Sequence, residues 1–323
     1  MKIAVVGCGA VGSYYGAMFA RAGPDVHFLL RSDFDVVRQK GVTVRSPQGD
    51  FHVQPRCART PEEIGICDAV LIGLKTTGND QFPKLLPPLV GPSTAVLTLQ
   101  NGLGNEEQLA RLFPVEQILG GLCFVCLNRL EPGVIHHIAH GKVILGEFQR
   151  PPQARTHELA ALLRRASVPC EVTDDLARTH WEKLVWNIPF NGLGVAGVAG
   201  DDGLTDAKFE VRSANAAGSV LTTDKLLADP RWEKLVRELM QEVIAAAAGL
   251  GFEIPVAFAE KQVERTRTMG AYKASTLLDF EHGRPLELEN MFLEPLRRAQ
   301  AAGVPVPRLA ALCKVLQQLD PTR

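Results

Sequence analysis

The first thirty residues alternate between short apolar runs and a helical spacing of apolar positions. Residues 2–6 (Lys-Ile-Ala-Val-Val) predict a short buried strand. Beyond a glycine-rich turn, apolar side chains recur three and four residues apart between Tyr15 and Ala20, which predicts a helix. A second apolar run, residues 26–30, follows the turn at Gly23-Pro24-Asp25. This order of elements is typical of a parallel sheet whose strands are connected by helices.

The same alternation continues through the first half of the chain. Residues 42–45 and 51–53 flank a turn and predict a hairpin. Buried strands are predicted at 69–74 and 95–99, further and more antiparallel strands at 118–127, 133–138 and 142–145, a helix at 158–166, and a closing strand at 169–173. We expect a mostly parallel sheet that is covered on both faces.

The second half of the chain is helical in pattern. Helical spacing covers residues 176–190, 233–248, 258–268, 289–302 and 307–319, whereas residues 192–206 are rich in Gly and Asp and form the least regular stretch. We therefore predict an α/β protein, with a Rossmann-type, doubly wound, mostly parallel sheet (residues 1–174) followed by an all-helical C-terminal domain (residues 175–323). The active site is expected in the cleft between the two domains.

Composition narrows the class further. A chain of 323 residues is long enough for two cores, and a net charge of −1 with evenly mixed signs does not favour a nucleic-acid partner. The seven cysteines form no metal-ligand set, so no metal is expected. The apolar start is only one strand long, and no apolar stretch approaches the roughly 20 residues of a membrane helix. We expect a reduced, cytoplasmic protein without a membrane partner. The oligomeric state stays open, with a homodimer as one expectation.

The glycine-rich turn at residues 7–12 is the first chemical signal. Its sequence is Gly7-Cys8-Gly9-Ala10-Val11-Gly12, between a predicted strand and a predicted helix. In this arrangement Gly7 permits the tight turn, Gly9 lets a pyrophosphate approach the backbone, and Gly12 lets the helix pack on the strand. The helix N-terminus offers N–H groups and a partial positive charge to the phosphates. The turn therefore predicts a dinucleotide site, although a purely structural glycine turn is the alternative.

The end of the second strand indicates which dinucleotide binds. An NAD site usually carries an acidic residue there, which binds the ribose 2′-OH. This chain has Arg31, whose guanidinium can form two charge-assisted hydrogen bonds to a 2′-phosphate. Asp33 and Asp35 lie close by and favour the opposite choice. We predict NADP (NADPH) rather than NAD.

Polar residues interrupt the apolar helix predicted at residues 176–190 and just beyond it. Lys183, Asn187 and Asn191 are spaced four apart and therefore share one helix face, which apolar residues surround. Such groups need polar partners, and a substrate with a carboxylate and a carbonyl would supply them. A solvated stripe on an amphipathic helix is the alternative. Pro189 should kink the helix before Asn191.

Two loops follow sheet strands and add candidates. Lys75 comes after the strand that ends at Leu74, and Asn101 comes after the strand that ends at Leu99. Ligands of open α/β sheets bind beyond the carboxyl ends of the strands, so Lys75 and Asn101 are expected to meet the cofactor and the substrate. The alternative is a plain turn, because Asn-Gly is a common turn pair.

These segments together resemble the ketopantoate reductase family, the 2-dehydropantoate 2-reductases, over nearly the whole chain. The resemblance includes the glycine motif, Leu74-Lys75, Gln100-Asn101-Gly102, and Lys183 with Asn187 and Asn191. It also includes Tyr272-Lys273-Ala274-Ser275-Thr276-Leu277-Leu278-Asp279 and Gly283-Arg284-Pro285-Leu286-Glu287-Leu288-Glu289, the two most specific segments.

The resemblance implies a reaction and roles for six residues outside the glycine turn. It implies NADPH-dependent reduction of a 2-keto acid to a 2-hydroxy acid, most simply ketopantoate to pantoate. Lys183 would be the general acid, and Glu287 would bind the substrate hydroxyl. Asn101 would sit near the nicotinamide and the substrate. Asn187 and Asn191 would bind the polar end of the substrate, and Ser275 would contact its carboxylate.

The chain departs from the family pattern at four positions. Gly192 stands where well-studied members have a Pro. Ala271 and Ala274 stand where well-studied members have an Asn and a Ser, and Asp201 stands where they have an amide. One alternative is therefore a reductase of the same family for another 2-keto acid, or an enzyme similar to the 3-hydroxyisobutyrate type. A second alternative is an NADP-sensing regulatory protein without turnover.

Overall fold

The chain divides into two compact units in the computed structural model, Met1–Leu176 and Ala177–Arg323. The structure describes residues 1–201, 204 and 218–321. The boundary expected from the sequence, between residues 174 and 175, lies two residues before the division between the units. We describe the units separately below.

The first unit is an α/β unit built on one sheet of ten strands. The strands are β1 (Lys2–Val6), β2 (Asp25–Leu29), β3 (Val42–Arg45), β4 (Phe51–Val53), β5 (Arg56–Ala58), β6 (Cys67–Ile72), β7 (Val90–Thr98), β8 (Ile118–Glu131), β9 (Val134–Glu147) and β10 (Cys170–Val172). The helices are α1 (Ala10–Arg21), α2 (Phe34–Lys40), α3 (Pro61–Ile64), α4 (Phe82–Leu85), α5 (Asn105–Leu109) and α6 (Ala154–Arg165).

The strand order defines a doubly wound sheet. The order is β4-β3-β9-β8-β7-β6-β1-β2-β5, with β10 beside β9. Strands β5, β2, β1, β6, β7 and β8 are mutually parallel neighbours. The chain winds outward from β1 in both directions, so the topological switch point lies between β1 and β6, where ligands of such sheets bind. The predicted Rossmann-type architecture is confirmed.

Alternate side chains of the parallel strands pack into two separate cores. On β1, Ile3 and Val5 belong to one core, and Ala4 and Val6 belong to the other. All four side chains are fully or almost fully buried. Burial on both faces explains why these strands have continuous apolar runs rather than an alternating pattern.

The long β8–β9 hairpin corrects one detail of the sequence interpretation. The two strands expected at 133–138 and 142–145 are a single strand, β9 (Val134–Glu147), which pairs antiparallel with β8. The interruption in the pattern is an irregularity within the strand. There, His140 and Gly141 both have positive φ values, 66° and 123°, and the register with β8 shifts nearby. The predicted hairpin of β3 and β4 is confirmed.

Among the described residues of the second unit, all regular secondary structure is helical. Its helices are α7 (Leu176–Ala196, which starts at the last residue of the first unit), α8 (Thr223–Ala228), α9 (Pro230–Gly249), α10 (Ala257–Arg267), α11 (Ser275–Glu281), α12 (Glu294–Ala301) and α13 (Pro307–Leu319), and a π-helical turn, Glu289–Leu293, precedes α12. None of the helices among the described residues has both the length and the apolar character needed to cross a membrane.

Helix α7 is longer than its pattern predicts. The helix continues past Pro189 to Ala196, so residues 192–196 are helical and the expectation of irregular structure is wrong there. Gly192 and Gly194 allow close packing, since a Cβ at these positions would lie 2.5 Å from Leu312 Cδ2 and 3.0 Å from the Leu221 carbonyl oxygen. Tertiary contacts thus override the low helix propensity of glycine. Residues 202–203 and 205–206 of the same stretch lie outside the described residues.

Candidate active site

Two glycines of the β1–α1 turn are required by the protein itself. Gly7 has φ +91°, and a Cβ there would lie 2.3 Å from the backbone nitrogen of Leu74. A Cβ on Gly12 would lie 2.1 Å from the carbonyl oxygen of Gly7. The turn therefore packs backbone against backbone on the segment after β6, at the switch point of the sheet. This agrees with the roles expected for Gly7 and Gly12.

Gly9 differs, because the protein leaves the space beside it open. A Cβ on Gly9 would meet no described atom within 4 Å, and its φ of −73° suits any residue. Gly9 is the N-cap of α1, which begins with Ala10 and Val11. No side chain of a described residue caps this helix end, and its first turn has no acidic residue. Open space at an uncapped helix N-terminus fits a pyrophosphate.

Cys8 lies between these glycines and contacts the end of β2. Its Sγ lies 3.5 Å from the carbonyl oxygens of Val5 and Leu29. Burial raises the pKa of the Cys8 thiol well above its usual range, and the nearby Cys57 and Asp33 add to this effect. The thiol therefore stays neutral at physiological pH.

The residues after β2 separate into one exposed cation and two paired acids. Arg31 is exposed and makes no ion pair with any described residue. Asp33 is buried and pairs with Arg129, at 3.1 Å between Nη1 and Oδ2. Asp35 accepts two hydrogen bonds from Nη2 of Arg59, at 2.8 and 2.9 Å. The two carboxylates that complicated the sequence interpretation are thus both neutralised by arginines.

Lys75 and Asn101 follow the next strands of the parallel sheet. Lys75 is exposed and precedes the 3₁₀ turn Thr76–Gln81 that follows β6. Asn101 is half-buried and follows β7. Because β2 and β6 lie on opposite sides of β1, Arg31 and Lys75 flank the glycine turn from its two sides.

A chain of buried and half-buried amides, which the sequence interpretation missed, holds the loop of Asn101. Gln100 donates from Nε2 to Asn79 Oδ1 (2.7 Å), and Asn79 donates from Nδ2 to Asn105 Oδ1 (3.0 Å). Asn105, fully buried, donates in turn to the carbonyl oxygen of Asn101 (3.0 Å). Thr98 Oγ1 donates to the Oε1 of Gln100 (2.9 Å). The four-residue spacing of Asn101 and Asn105 was the only available signal, because Asn79 comes from another loop.

In the second unit, the polar stripe of α7 is confirmed as a stripe but not as a solvated one. Lys183 is half-buried, Asn187 is 7% exposed and Asn191 is 2% exposed. The amide of Asn187 makes no hydrogen bond with any described residue. The amide is not among the completely buried polar groups that lack a partner, so its atoms remain open to water or to a ligand.

The structure brings Asn191 and Ser275 together. The Oδ1 atom of Asn191 accepts hydrogen bonds from Ser275 Oγ (3.2 Å) and from the backbone N–H of Thr276 (3.0 Å). These donors belong to the first turn of α11, so Asn191 caps that helix. The fold thus uses the oxygen of Asn191 to fix the segment that carries Ser275.

Glu287 lies between α11 and the π-helical turn Glu289–Leu293. Its side chain is 5% exposed, and the neighbouring Asn290 within the turn is 3% exposed. π-Helical turns are rare and occur frequently at functional sites. Glu287 and Asn290 are thus both buried, one just before and one within an unusual backbone segment, and Asn290 was not predicted.

Two of the positions that depart from the family pattern have clear surroundings. Asp201 pairs with Arg231 at 3.3 Å, but Arg231 also pairs with Asp229 at 2.9 Å, so one guanidinium only partly offsets the two carboxylates. Ala274 is the N-cap of α11 and is 3% exposed, where no side-chain hydroxyl is present to cap the helix. No group of three or more His, Cys, Asp or Glu side chains that could hold a metal ion occurs among the described residues.

The doubly wound sheet with its glycine turn, and the helical unit with its lysine and amide stripe, define a Rossmann-fold oxidoreductase. Residues 3–150 match the family described as ketopantoate reductase PanE/ApbA, and residues 211–320 match the C-terminal part of the same family. The chain belongs to the ketopantoate reductase family, and it is an oxidoreductase that acts on CH–OH groups.

Relatives with similar sequences and structures cover the full length of the chain. A 2-dehydropantoate 2-reductase of Nostoc sp. is 40% identical over 325 residues, which covers 99% of this chain and 95% of the relative. The crystal structure of 2-dehydropantoate 2-reductase from Geobacter metallireducens is 45% identical, with a TM-score of 0.89 and coverage of 98% and 99%. A ternary structure of D-mandelate dehydrogenase with NADH and anilino(oxo)acetate shares the fold at 19% identity, with a TM-score of 0.83 and coverage of 99% and 98%.

Proposed function

We propose that this protein reduces 2-dehydropantoate to pantoate with NADPH, and that Lys183 is the general acid. The names of the full-length relatives support the substrate. The observation that carries the site is the side-chain amide of Asn187, a largely buried residue one helical turn from Lys183. This amide has no hydrogen-bond partner among the described residues, and its atoms keep some exposed surface that a ligand can reach. A substrate with polar oxygens satisfies such an amide.

The residues of the first unit fit a dinucleotide with a 2′-phosphate. The uncapped N-terminus of α1 and the open space at Gly9 suit the pyrophosphate. Gly7 and Cys8 form the rest of the turn, and Ala10, Val11 and Gly12 form the first turn of the helix. Arg31 and Lys75 are exposed cations on the two sides of this turn. When bound, NADPH supplies the hydride.

Lys183 stabilises the charge that develops on the substrate oxygen and then gives up a proton to it. Its half-buried position strengthens this interaction relative to water, because the surrounding α7 side chains are apolar. Asn187, Asn191 and Ser275 hold the polar end of the substrate, with Asn191 and Ser275 oriented by their mutual hydrogen bond. Glu287 accepts a hydrogen bond from the substrate hydroxyl, and Asn101 lies beside the nicotinamide and the substrate.

The test is NADPH oxidation followed by absorbance at 340 nm, with ketopantoate beside a panel of other 2-keto acids. Fast turnover with ketopantoate supports the proposal. Turnover with another 2-keto acid alone keeps the proposed reaction type and assigns the altered specificity to Ala271, Ala274 and Asp201. Tight NADPH binding without turnover supports a sensing role. Arg31→Ala should raise the KM for NADPH far more than that for NADH, and equal effects would refute the 2′-phosphate role.

A further inference from the structure

The carboxylate of Asp33 is unusually well compensated for a residue that follows β2. Its side chain is 8% exposed. Arg129 donates from Nη1 to Oδ2 (3.1 Å) and from Nη2 to Oδ1 (3.4 Å), and Ser32 Oγ donates to Oδ1 (2.9 Å). Arg129 belongs to β8, 96 residues further along the chain. The β8–β9 hairpin thus brings the guanidinium of Arg129 to the residues that follow β2.

This carboxylate lies beside the predicted cofactor site. Asp33 follows Arg31 by two residues, and its negative charge contributes to the raised pKa of the Cys8 thiol within the glycine turn. Cys8 in turn contacts the carbonyl oxygen of Leu29, the last residue of β2. The charge of Asp33 therefore acts electrostatically on the turn that is proposed to hold the pyrophosphate.

We propose that Arg129 is a specificity-determining residue for the cofactor, which acts by neutralising Asp33. The inference rests on the proposed use of NADPH. A carboxylate near this strand end repels a 2′-phosphate and accepts a hydrogen bond from a ribose 2′-OH. Bidentate pairing with Arg129 removes most of the repulsion and occupies the carboxylate oxygens. Arg31 is then the only net charge in the segment 31–33.

The neighbouring pair of Asp35 and Arg59 provides a matched comparison. It is also an arginine–aspartate pair with short hydrogen bonds, but its side chains are 79% and 52% exposed. Water screens an exposed pair strongly and a buried carboxylate weakly. Loss of Arg59 should therefore leave cofactor preference unchanged, whereas loss of Arg129 should alter it.

The test compares affinities by isothermal titration calorimetry, with NADPH and NADH as ligands and with 2′,5′-ADP as a probe that lacks the nicotinamide. Arg129→Met should lower the NADPH-to-NADH affinity ratio about tenfold, which is about 1.4 kcal/mol. Arg129→Lys keeps the charge and should retain most of the ratio. Arg59→Met should change the ratio by less than about twofold.

The double variant Asp33→Asn/Arg129→Met separates neutralisation from direct contact with the phosphate. Restoration of the ratio to within about twofold of the original protein supports neutralisation. A ratio that stays low in the double variant overturns the proposal, because Arg129 would then bind the phosphate itself. An unchanged ratio in Arg129→Met also overturns it. If the original protein prefers NADH, or if Arg31→Ala affects both cofactors equally, the proposed NADPH preference fails instead.

Discussion

Two polar regions of the molecule differ in whether their side-chain amides are hydrogen-bonded. At the ends of β6 and β7, the amides of Gln100, Asn79 and Asn105 form a continuous hydrogen-bonded chain. On α7, the side-chain amide of Asn187, a largely buried residue, makes no hydrogen bond with any described residue. Both regions carry candidate site residues, so the difference separates two tasks. The hydrogen-bonded amides hold a loop in place, whereas the unpaired amide of Asn187 is available to the proposed substrate.

The glycine turn shows the same division in its backbone. The space beside Gly12 is filled by the carbonyl of Gly7, while the space beside Gly9 is open. One glycine therefore serves the fold, and the other leaves room for a ligand. The comparison predicts that substitutions of hydrogen-bonded or closely packed residues lower the free energy of unfolding. Substitutions of residues without such contacts should instead reduce ligand affinity or turnover.

The largest expected effect concerns Lys183 on the α7 stripe. Lys183→Ala should lower kcat by about a hundredfold or more, as removal of a general acid does, and should leave the NADPH dissociation constant nearly unchanged. Steady-state kinetics at 340 nm and a fluorescence titration measure the two quantities. Lys261→Ala, on the exposed face of α10, is the matched control. An unchanged kcat in Lys183→Ala would remove this residue from the mechanism.

The next largest effect should separate the two glycines. Gly12→Ala places a Cβ 2.1 Å from a backbone oxygen and should cost about 3 kcal/mol of unfolding free energy. Gly9→Ala meets no described atom within 4 Å, so its stability should change little while its affinity for NADPH falls. Urea unfolding and calorimetric titration provide both numbers. Unaltered NADPH affinity in Gly9→Ala would contradict the placement of the pyrophosphate.

A smaller effect should separate the two amides. Asn79→Leu leaves Gln100 Nε2 and Asn105 Oδ1 without their partner and should cost about 2 kcal/mol of unfolding free energy. Asn187→Leu removes an amide without such partners, so it should be neutral or stabilising while the KM for the keto acid rises. A destabilised Asn187→Leu protein with an unchanged KM would show that Asn187 is structural.

Much of the fold follows from the sequence because its signals are local. Helix α13 begins at Pro307 and ends at Leu319, as its apolar spacing predicts. The continuous apolar run of β1 and the glycine turn likewise depend on neighbouring residues. Strand β9 was divided in two because His140 and Gly141 interrupt the alternation, although the hydrogen-bonded strand continues through them.

The parts of the site that escaped prediction depend on distant partners. Arg129 meets Asp33 across 96 residues, and Asn79 meets Gln100 across 21 residues, so no short pattern connects them. The residue types of the α7 stripe were visible in the sequence. The absence of a described partner for Asn187 was not, since it depends on which side chains other helices bring near α7.

The smallest effect concerns a third buried polar group, His137 of β9, whose partners all lie in the first unit. The ring is fully buried, and its nitrogens contact the Ser46 hydroxyl (2.9 Å) and the His140 carbonyl (3.0 Å). Because the carbonyl can only accept, Nε2 carries the proton and Nδ1 accepts from Ser46, with Tyr14 further away at 3.5 Å. Burial lowers the pKa of His137 from its ordinary value of 6.5, and the His140 carbonyl partly opposes this.

The folded state therefore holds His137 neutral, while the unfolded chain takes up a proton as the pH falls below 6.5. The stabilisation is fully present above that value and decreases as the pH falls toward the lowered folded pKa. Between pH 7 and pH 5 we expect a loss on the order of 1 kcal/mol in the unfolding free energy, measured by urea titration. His137→Gln should flatten this dependence, and His52→Gln, at an exposed position of β4, should not. If the unfolding free energy of His137→Gln depends as steeply on pH, other groups cause the acid sensitivity. The hydrogen-bonded, buried His137 would then contribute nothing measurable to the pH dependence of stability.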